Sequence, residues 1–491
     1  MKRVVVIGSG FAALSASCFL AAKGYEVKVL EKNSGPGGRA RIMHHEGFTF
    51  DMGPSWYWMP DVFDRFFTCF GKSVSDYYTL KRLNPSYRVF FGEGDYYDVP
   101  ADWKQLASDF DKWEAGSGKK LEQFLADAEI KYREGIGNLV FKPGKSILEF
   151  ANYRTIKGLF ELNLLSDFKR HAASYFSHPK ILKILEFPVL FLGATPEKTP
   201  ALYSLMNYAD IRLGTWFPMG GMHKIVEGMV KLASSLGVEF FYDQEVRKIN
   251  IEPGGKATSV ETASATFSAD VVLSGADYAH TEQVLLEPQW RNYSKAYWDS
   301  RVMAPSSILY YCGYQGRVEN LKHHNLFFDE DFTIHAREIY EQPAWPSRPL
   351  FYLSAPSLTD ASLAPEGKEN LFLLIPTAPG MLEDASITDR YFSFVADKVK
   401  RLSGNDLEQN SLFKIPYGAR NFIADYHALR GNAYGLANTL MQTAILKPSM
   451  RSKKVKNLLF TGQLTVPGPG VPPALISGEV AAMEIIKDFP L

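Results

Sequence analysis

Val4-Val5-Val6-Ile7-Gly8-Ser9-Gly10-Phe11-Ala12-Ala13 is the stretch whose reading decides the fold. The β-branched run Val4 to Ile7 is strand-like, and Phe11 to Lys23 repeats apolar residues at helical spacing. Gly24 can end that helix, and Glu26 to Leu30 is strand-like again, so the start of the chain reads as a βαβ unit. Its first turn fits GxGxxG/A, with Ala13 in the third position. Gly8 permits the tight turn, Gly10 lets a pyrophosphate approach the backbone, and a small residue at 13 lets helix and strand pack closely. The pyrophosphate then lies on the positive end of the helix, where Phe11 and Ala12 form the first turn. Glu31 ends the second strand, placing a carboxylate where it can accept hydrogen bonds from a ribose. Glu31-Lys32 would also suit a solvated charged turn, but strand, loop, helix and strand together favour the dinucleotide. A carboxylate there disfavours a 2′-phosphate, so NADP is not expected.

Directly after this unit comes a second glycine cluster, Gly35-Pro36-Gly37-Gly38-Arg39-Ala40, ending in a cation able to meet phosphate or a flavin carbonyl. Farther on stand Gly47-Phe48-Thr49-Phe50-Asp51-Met52-Gly53-Pro54-Ser55-Trp56, then Phe217-Pro218-Met219-Gly220-Gly221-Met222 ahead of a helix from Lys224 to Leu236. Glu245-Val246 begins a strand, and Asp270-Val271-Val272-Leu273-Ser274-Gly275-Ala276-Asp277 ends another. The last block is Thr461-Gly462-Gln463-Leu464-Thr465-Val466-Pro467-Gly468-Pro469-Gly470-Val471-Pro472, a Gly/Pro loop between a strand over Lys456 to Phe460 and a helix from about Ala474 to Lys487. Such a loop offers backbone N–H groups where negative charge grows on a reduced flavin.

The whole set resembles the flavoprotein family of amine oxidases, protoporphyrinogen oxidase and carotenoid desaturases, and within it the bacterial and fungal phytoene desaturases of flavobacterial type. Departures from the desaturase pattern are Gly275 for Asn, Gln463 and Leu464 for small residues, and Pro473 for Gly. The resemblance implies FAD, with its isoalloxazine against Gly38 and Arg39, Gly53, Pro54 and Ser55 beside it, the Val246 backbone at the adenine, and Gly462, Gln463, Gly470 and Val471 in the C-terminal loop. It implies an oxidoreductase that introduces double bonds into phytoene toward lycopene by hydride transfer to the flavin. The alternatives are a desaturase of a later or hydroxylated carotenoid, an amine or porphyrinogen oxidase, and a non-enzymatic lipid carrier. Reoxidation would use oxygen or a membrane quinone. No residue reads as a catalytic acid or base, and the histidines show no metal-ligand spacing.

A chain of 491 residues exceeds the size at which one core stops growing, so at least two domains are expected. The expected fold is α/β: a Rossmann-like FAD-binding domain from residues 1–85, 210–285 and 445–491, and a discontinuous α+β substrate domain from 86–209 and 286–444. Tyr87 to Pro100 reads as two strands about a Gly turn, and residues 101–200 as mostly helical, with breaks at Gly135, Gly137 and Pro143-Gly144. A formal charge of zero argues against nucleic acid as a partner. Cys18, Cys69 and Cys312 are far apart, which fits a reducing compartment. Gly8 and Gly10 interrupt the early apolar run, so a secretory leader is not expected, and no run is long enough to span a membrane. A water-insoluble carotenoid must come from a bilayer. A cytoplasmic protein peripherally bound to the inner face of the membrane is therefore expected, docking through residues 142–200, where Lys142, Lys145, Arg154, Lys157, Lys169, Arg170, Lys180 and Lys183 intersperse with apolar residues.

Overall fold

The strand Arg3–Ile7 lies at the centre of a parallel sheet, paired on one side with Glu26–Leu30 and on the other with Val271–Ser274. Val4, Val5 and Val6 are buried, as a strand covered on both faces requires, which is why this run is continuously apolar and does not alternate. Leu458–Phe460 and Glu239–Phe241 complete the five strands at the two edges. The computed structural model describes residues 1–146, 149, 166–190 and 195–491.

The crossover helix Phe11–Ala22 is buried along its first ten residues, because it packs against the helices His223–Ser235 and Val471–Asp488 as well as the sheet. A three-stranded antiparallel meander, Val246–Glu252, Lys256–Thr262 and Thr266–Ser268, stands beside it, with its first turn over Pro253-Gly254-Gly255 as the sequence indicates.

A seven-stranded mixed sheet forms the second layer system, ordered Ser411–Tyr417, Ser306–Gln315, Lys368–Thr377, Phe351–Ser354, His324–Phe327, Tyr87–Gly92 and Asp95–Val99. Its strands fall in the segments expected for the substrate domain, and those of the parallel sheet fall in the other set, which supports the two-domain division we propose. The α/β class with a dinucleotide-binding half is as expected.

Two local readings are corrected. Gly135 does not break a helix: Ser117–Gly137 runs through it, and a Cβ at 135 would come 3.3 Å from Leu205, so the small residue serves helix packing. The last helix starts at Val471, earlier than Ala474, with Pro472 and Pro473 in its first turn, where a missing N–H costs nothing.

Candidate functional site

Gly8 makes the strand-to-helix turn at φ +87°, and its N–H donates to Leu30 O at 2.7 Å, tying the turn to the neighbouring strand. Gly10 precedes the helix without a side-chain cap, so among the described residues no side chain caps the positive end of the helix. Ala13 does not reach the site. It is fully buried beneath the turn, where a Cβ on Gly275 would sit 2.8 Å from its own Cβ. Gly275 and Ala13 are thus the two small sides of one contact, which accounts for the departure at 275.

Glu31 is buried, and its carboxylate accepts from Ser9 N at 2.9 Å, Ser9 Oγ at 2.6 Å, and Asn33 N and Nδ2, both at 2.9 Å. It therefore cross-links the glycine loop to the end of the second strand. Lys32 reaches away from it, donating to Ala424 O at 2.6 Å, with Glu245 at 3.7 Å.

The second glycine cluster folds back onto the first. Gly37 N donates to Ser9 O at 3.0 Å, and a Cβ on Gly38 would lie 3.3 Å from Gly10 Cα. Gly53 abuts the same segment so closely that a Cβ there would be 2.4 Å from Arg39 O. Asp51 explains why the 47–56 and 217–222 blocks occur together. Its carboxylate accepts from Met222 N at 2.7 Å and His223 N at 2.9 Å, capping the helix His223–Ser235, while His223 Nδ1 lies 2.8 Å from Ala40 O. Asp51 and Thr465, whose hydroxyl donates to Pro448 O at 2.7 Å, are therefore structural.

Burial pushes the Asp51 carboxyl up to about 6, against the pull of the Met222 and His223 N–H groups. An unfolded aspartate titrates near 3.9, so between about 4 and 6 the native state holds a proton that the unfolded chain has lost. Its contribution to stability is fully present below about 4 and falls as pH rises through about 6. Asp51→Ala should remove this pH dependence and cost about 1–2 kcal/mol through the uncapped helix. Denaturant titrations from pH 4 to 7 measure both; an unchanged slope with pH would contradict the assignment.

Arg39 is half-buried, with its Nε sealed from solvent and no carboxylate bonded to it among the described residues. Desolvation lowers its pKa, Asp277 opposing from a distance, and its Nη2 donates to Asn432 O at 3.2 Å. With its amide oxygen toward Arg39, Gln463 accepts from both Nη atoms at 3.0 and 3.1 Å and donates to Tyr434 O at 3.2 Å. The departure at 463 is thus a neutral acceptor for a half-buried cation. Arg39 Nε has no hydrogen-bond partner among the described residues.

These elements converge on one cavity of about 750 Å³. Gly8, Gly10, Phe11, Ala12, Glu31, Lys32, Gly38, Arg39, Gly53, Pro54, Ser55, Val246, Gly462, Gln463, Gly470 and Val471 all line it. Its other half is apolar and was not legible as a site: Trp56, Trp58, Ile136, Leu139, Val140, Leu202, Met206, Leu309, Phe372 and Leu374, with Tyr203, Tyr352 and Tyr434. Ser306–Gln315 and Lys368–Thr377 are near-continuous apolar runs, which mark Leu309, Phe372 and Leu374 as interior without marking a site. Trp56 stacks on His324 with ring centres 3.9 Å apart, and His324 Nδ1 meets Tyr352 OH at 2.6 Å. Burial drives His324 well below the usual histidine range and raises all three tyrosines, Tyr434 to about 12, so these four rings are uncharged at neutral pH.

The polar half fits FAD: a half-buried guanidinium whose sealed Nε lacks a partner among the described residues, an uncapped helix N-terminus and close-packed glycine backbone all line the same cavity. The apolar half suits a long hydrocarbon.

Comparison with known proteins agrees. The model of the flavin-containing amine oxidoreductase family matches residues 12–486. The chain is 41% identical to a carotenoid 3,4-desaturase of Haloarcula japonica, over 99% of this chain and 98% of that protein. It is 30% identical to a zeta-carotene-forming phytoene desaturase of Myxococcus xanthus, over 99% and 94%. An oxidoreductase from Methanosarcina mazei shares the fold at a TM-score of 0.64 and 16% identity, covering 99% of this chain and 100% of that one. A redesigned putrescine oxidase does so at 0.62 and 12%, covering 99% of each chain. The protein is an FAD-dependent oxidoreductase, and the chain belongs to the flavin-containing amine oxidoreductase family, in its carotenoid-desaturase branch.

Proposed function

We propose that this enzyme desaturates a carotenoid. The observation that carries the reading is the continuity of the cavity, from the glycine loop to a largely aromatic and aliphatic wall. In this reading Glu31 takes the adenosine ribose, the N-terminus of Phe11–Ala22 takes the pyrophosphate, the Val246 backbone meets the adenine, and Gly38 and Arg39 lie against the isoalloxazine. Gly462 to Val471 hold the flavin end. When bound, FAD supplies the two-electron sink of the dehydrogenation. Trp56, Phe372 and Leu374 would align the chain and keep water out.

Two substrates fit the tunnel. Phytoene taken toward lycopene is the reading of the sequence motifs. A later carotenoid is favoured by the 41% identity to the Haloarcula 3,4-desaturase, against 30% to the Myxococcus phytoene desaturase. Incubating the holoenzyme with each carotenoid in liposomes, followed by pigment analysis, tests the function. Longer conjugation in the extracted pigment is expected, and the substrate that gives it decides between the two. Colour unchanged with both would refute the desaturase reading.

Membrane docking belongs to the same proposal, but the surface that supports it has moved. Arg154 and Lys157 lie outside the described residues. Lys169 pairs with Glu197, Arg170 with Asp167, Lys180 with Asp95 and Lys145 with Glu484, so four of the six described cations in the row are paired with carboxylates. The better surface is Met441, Ile445 and Leu446, exposed at 74%, 37% and 45%, flanking the cavity-lining Thr443 and Ala444. Among the described residues no helix is long and apolar enough to cross a membrane. Ile445→Glu with Leu446→Glu should weaken liposome co-flotation roughly tenfold or more, from two apolar side chains no longer buried in lipid. Equal flotation of variant and parent would remove this surface.

A further inference from the structure

Removing two hydrogens from a CH–CH unit releases a hydride and a proton, and the functions assigned above give a destination only to the first. The cavity-lining carboxylates and imidazoles, Glu31, Glu245, Asp277, His280, Asp425 and His427, gather around Lys32, Arg39 and Arg41 in the half assigned to the cofactor. In the apolar half, one of the three tyrosines meets an imidazole among the described residues: Tyr352 OH lies 2.6 Å from His324 Nδ1.

Two adjacent strands build this pair. Across the antiparallel strands His324–Phe327 and Phe351–Ser354, Leu326 stands opposite Tyr352 and His324 opposite Ser354. With a side-chain period of two, His324 and Tyr352 are diagonal neighbours on one face of the sheet. Tyr352 lines the cavity, whereas His324 is fully buried behind it and stacked on Trp56. Tyr352 therefore connects the cavity to an imidazole that does not itself line it. Burial raises the Tyr352 hydroxyl, and the Ser354 and Ser55 hydroxyls oppose that rise. Ser55 is two residues from Gly53, which packs against Arg39, so Tyr352 stands toward the isoalloxazine end of the reading above.

Of the two groups the phenol is the better donor, so its proton points to His324 Nδ1 and an oxygen lone pair is left for the cavity. The imidazole proton is then on Nε2, which is sealed and has no hydrogen-bond partner among the described residues. A buried polar ring held this way is costly, and a pair of phenylalanines would line a hydrocarbon site without that cost.

We propose that Tyr352, backed by His324, is the proton acceptor of the desaturation. The proposal rests on the carotenoid reading and adds an acid–base residue to it. One C–H bond breaks with its electron pair, and the hydride goes to the bound FAD, the oxidant which that reading supplies. As positive charge develops on the chain, the C–H bond of the neighbouring carbon gives its pair to the new C=C bond. Its proton passes to the Tyr352 oxygen while the phenol proton moves to His324 Nδ1. Burial disfavours the imidazolium, but a proton beside a carbocation is far more acidic than an imidazolium, so the transfer runs downhill. The same burial returns the proton through Tyr352 once the product has left.

Anaerobic stopped-flow mixing of the holoenzyme with phytoene or lycopene in liposomes tests this, with whichever of the two bleaches the flavin of the parent. Tyr352→Phe keeps the ring and removes only the oxygen. It should slow bleaching about a hundredfold, the low end of what a positioned acid or base contributes. Flavin content should stay as in the parent, and so should quenching of tryptophan fluorescence by the carotenoid, since Trp56 and Trp58 line the cavity. His324→Gln keeps an acceptor for the phenol but cannot take up its proton, and should slow bleaching comparably. The parent should bleach more slowly in D2O than in H2O, because the phenol proton moves in the step, and Tyr352→Phe should show no such difference. Bleaching by either variant at the parental rate overturns the proposal and leaves the carotenoid reading standing. So does a parent without a solvent effect, a solvent effect that survives in Tyr352→Phe, or a slower variant that has also lost flavin or quenching. Should His324→Gln fail to fold, Tyr352→Phe decides alone. If neither carotenoid bleaches the parent, the carotenoid reading falls and the proton acceptor with it.

Discussion

Glu31→Ala is expected to yield protein that loses its flavin on dialysis. The substitution removes an acceptor shared by Ser9 N, Ser9 Oγ, Asn33 N and Asn33 Nδ2, and it leaves the buried N–H and hydroxyl of Ser9 in the glycine loop unpaired. It also removes the carboxylate proposed to hold the ribose. Hydrogen bonds to a charged group contribute more than neutral ones, and unsatisfied buried donors keep their desolvation cost. A loss on the order of 3 kcal/mol in FAD binding, roughly a hundredfold, follows. The ratio of flavin to protein absorbance after gel filtration measures it. A variant that retains its flavin like the parent would show that the loop does not depend on this carboxylate.

Gly478→Ala is expected to be more damaging than its single methyl group suggests. The helices Phe11–Ala22 and Val471–Asp488 cross where a Cβ at 478 would lie 2.1 Å from Ala12 O, 2.7 Å from Ser15 Cβ and 2.9 Å from Ala16 N. Two of these obstacles are backbone atoms, which cannot turn aside as a flexible side chain can. Ser15 Oγ also donates to Leu475 O at 2.7 Å across the same crossing, so separating the helices breaks a buried hydrogen bond. Both helices present their N-terminal ends to the cavity. Overpacking of this kind costs about 3 kcal/mol or more. The variant should lose stability and flavin together, whereas Glu31→Ala loses chiefly flavin. Thermal denaturation of the two variants, with and without added FAD, separates the cases. A Gly478→Ala protein as stable as the parent would contradict the helix crossing.

These two sites also show what could be read from the sequence. Gly8, Gly10 and Glu31 were legible because their roles arise within one βαβ unit, where spacing alone fixes geometry. Gly478 was not, since nothing in the period of Val471–Asp488 reveals that its neighbour is a helix more than four hundred and fifty residues earlier. Gln463 stood out as a departure, but its partner Arg39 became visible only once the two glycine-rich segments met. Asp51 was noticed as part of a motif, and its use as a helix cap depended on a second motif far along the chain. The tunnel was the least legible feature. Leu309, Tyr352 and Phe372 come from three strands of a mixed sheet, and their continuous apolar runs say that residues are buried without saying around what.

The central claim is that one cavity brings a carotenoid to FAD for oxidation. Anaerobic mixing of the holoenzyme with carotenoid-loaded liposomes tests it most directly, since flavin absorbance reports the reaction without any assumption about the electron acceptor. Loss of the oxidised-flavin band, its return on adding oxygen or a quinone, and a carotenoid absorbance shifted to longer wavelength are predicted. Flavin that stays oxidised with every carotenoid, yet is bleached by a primary amine, would contradict the account.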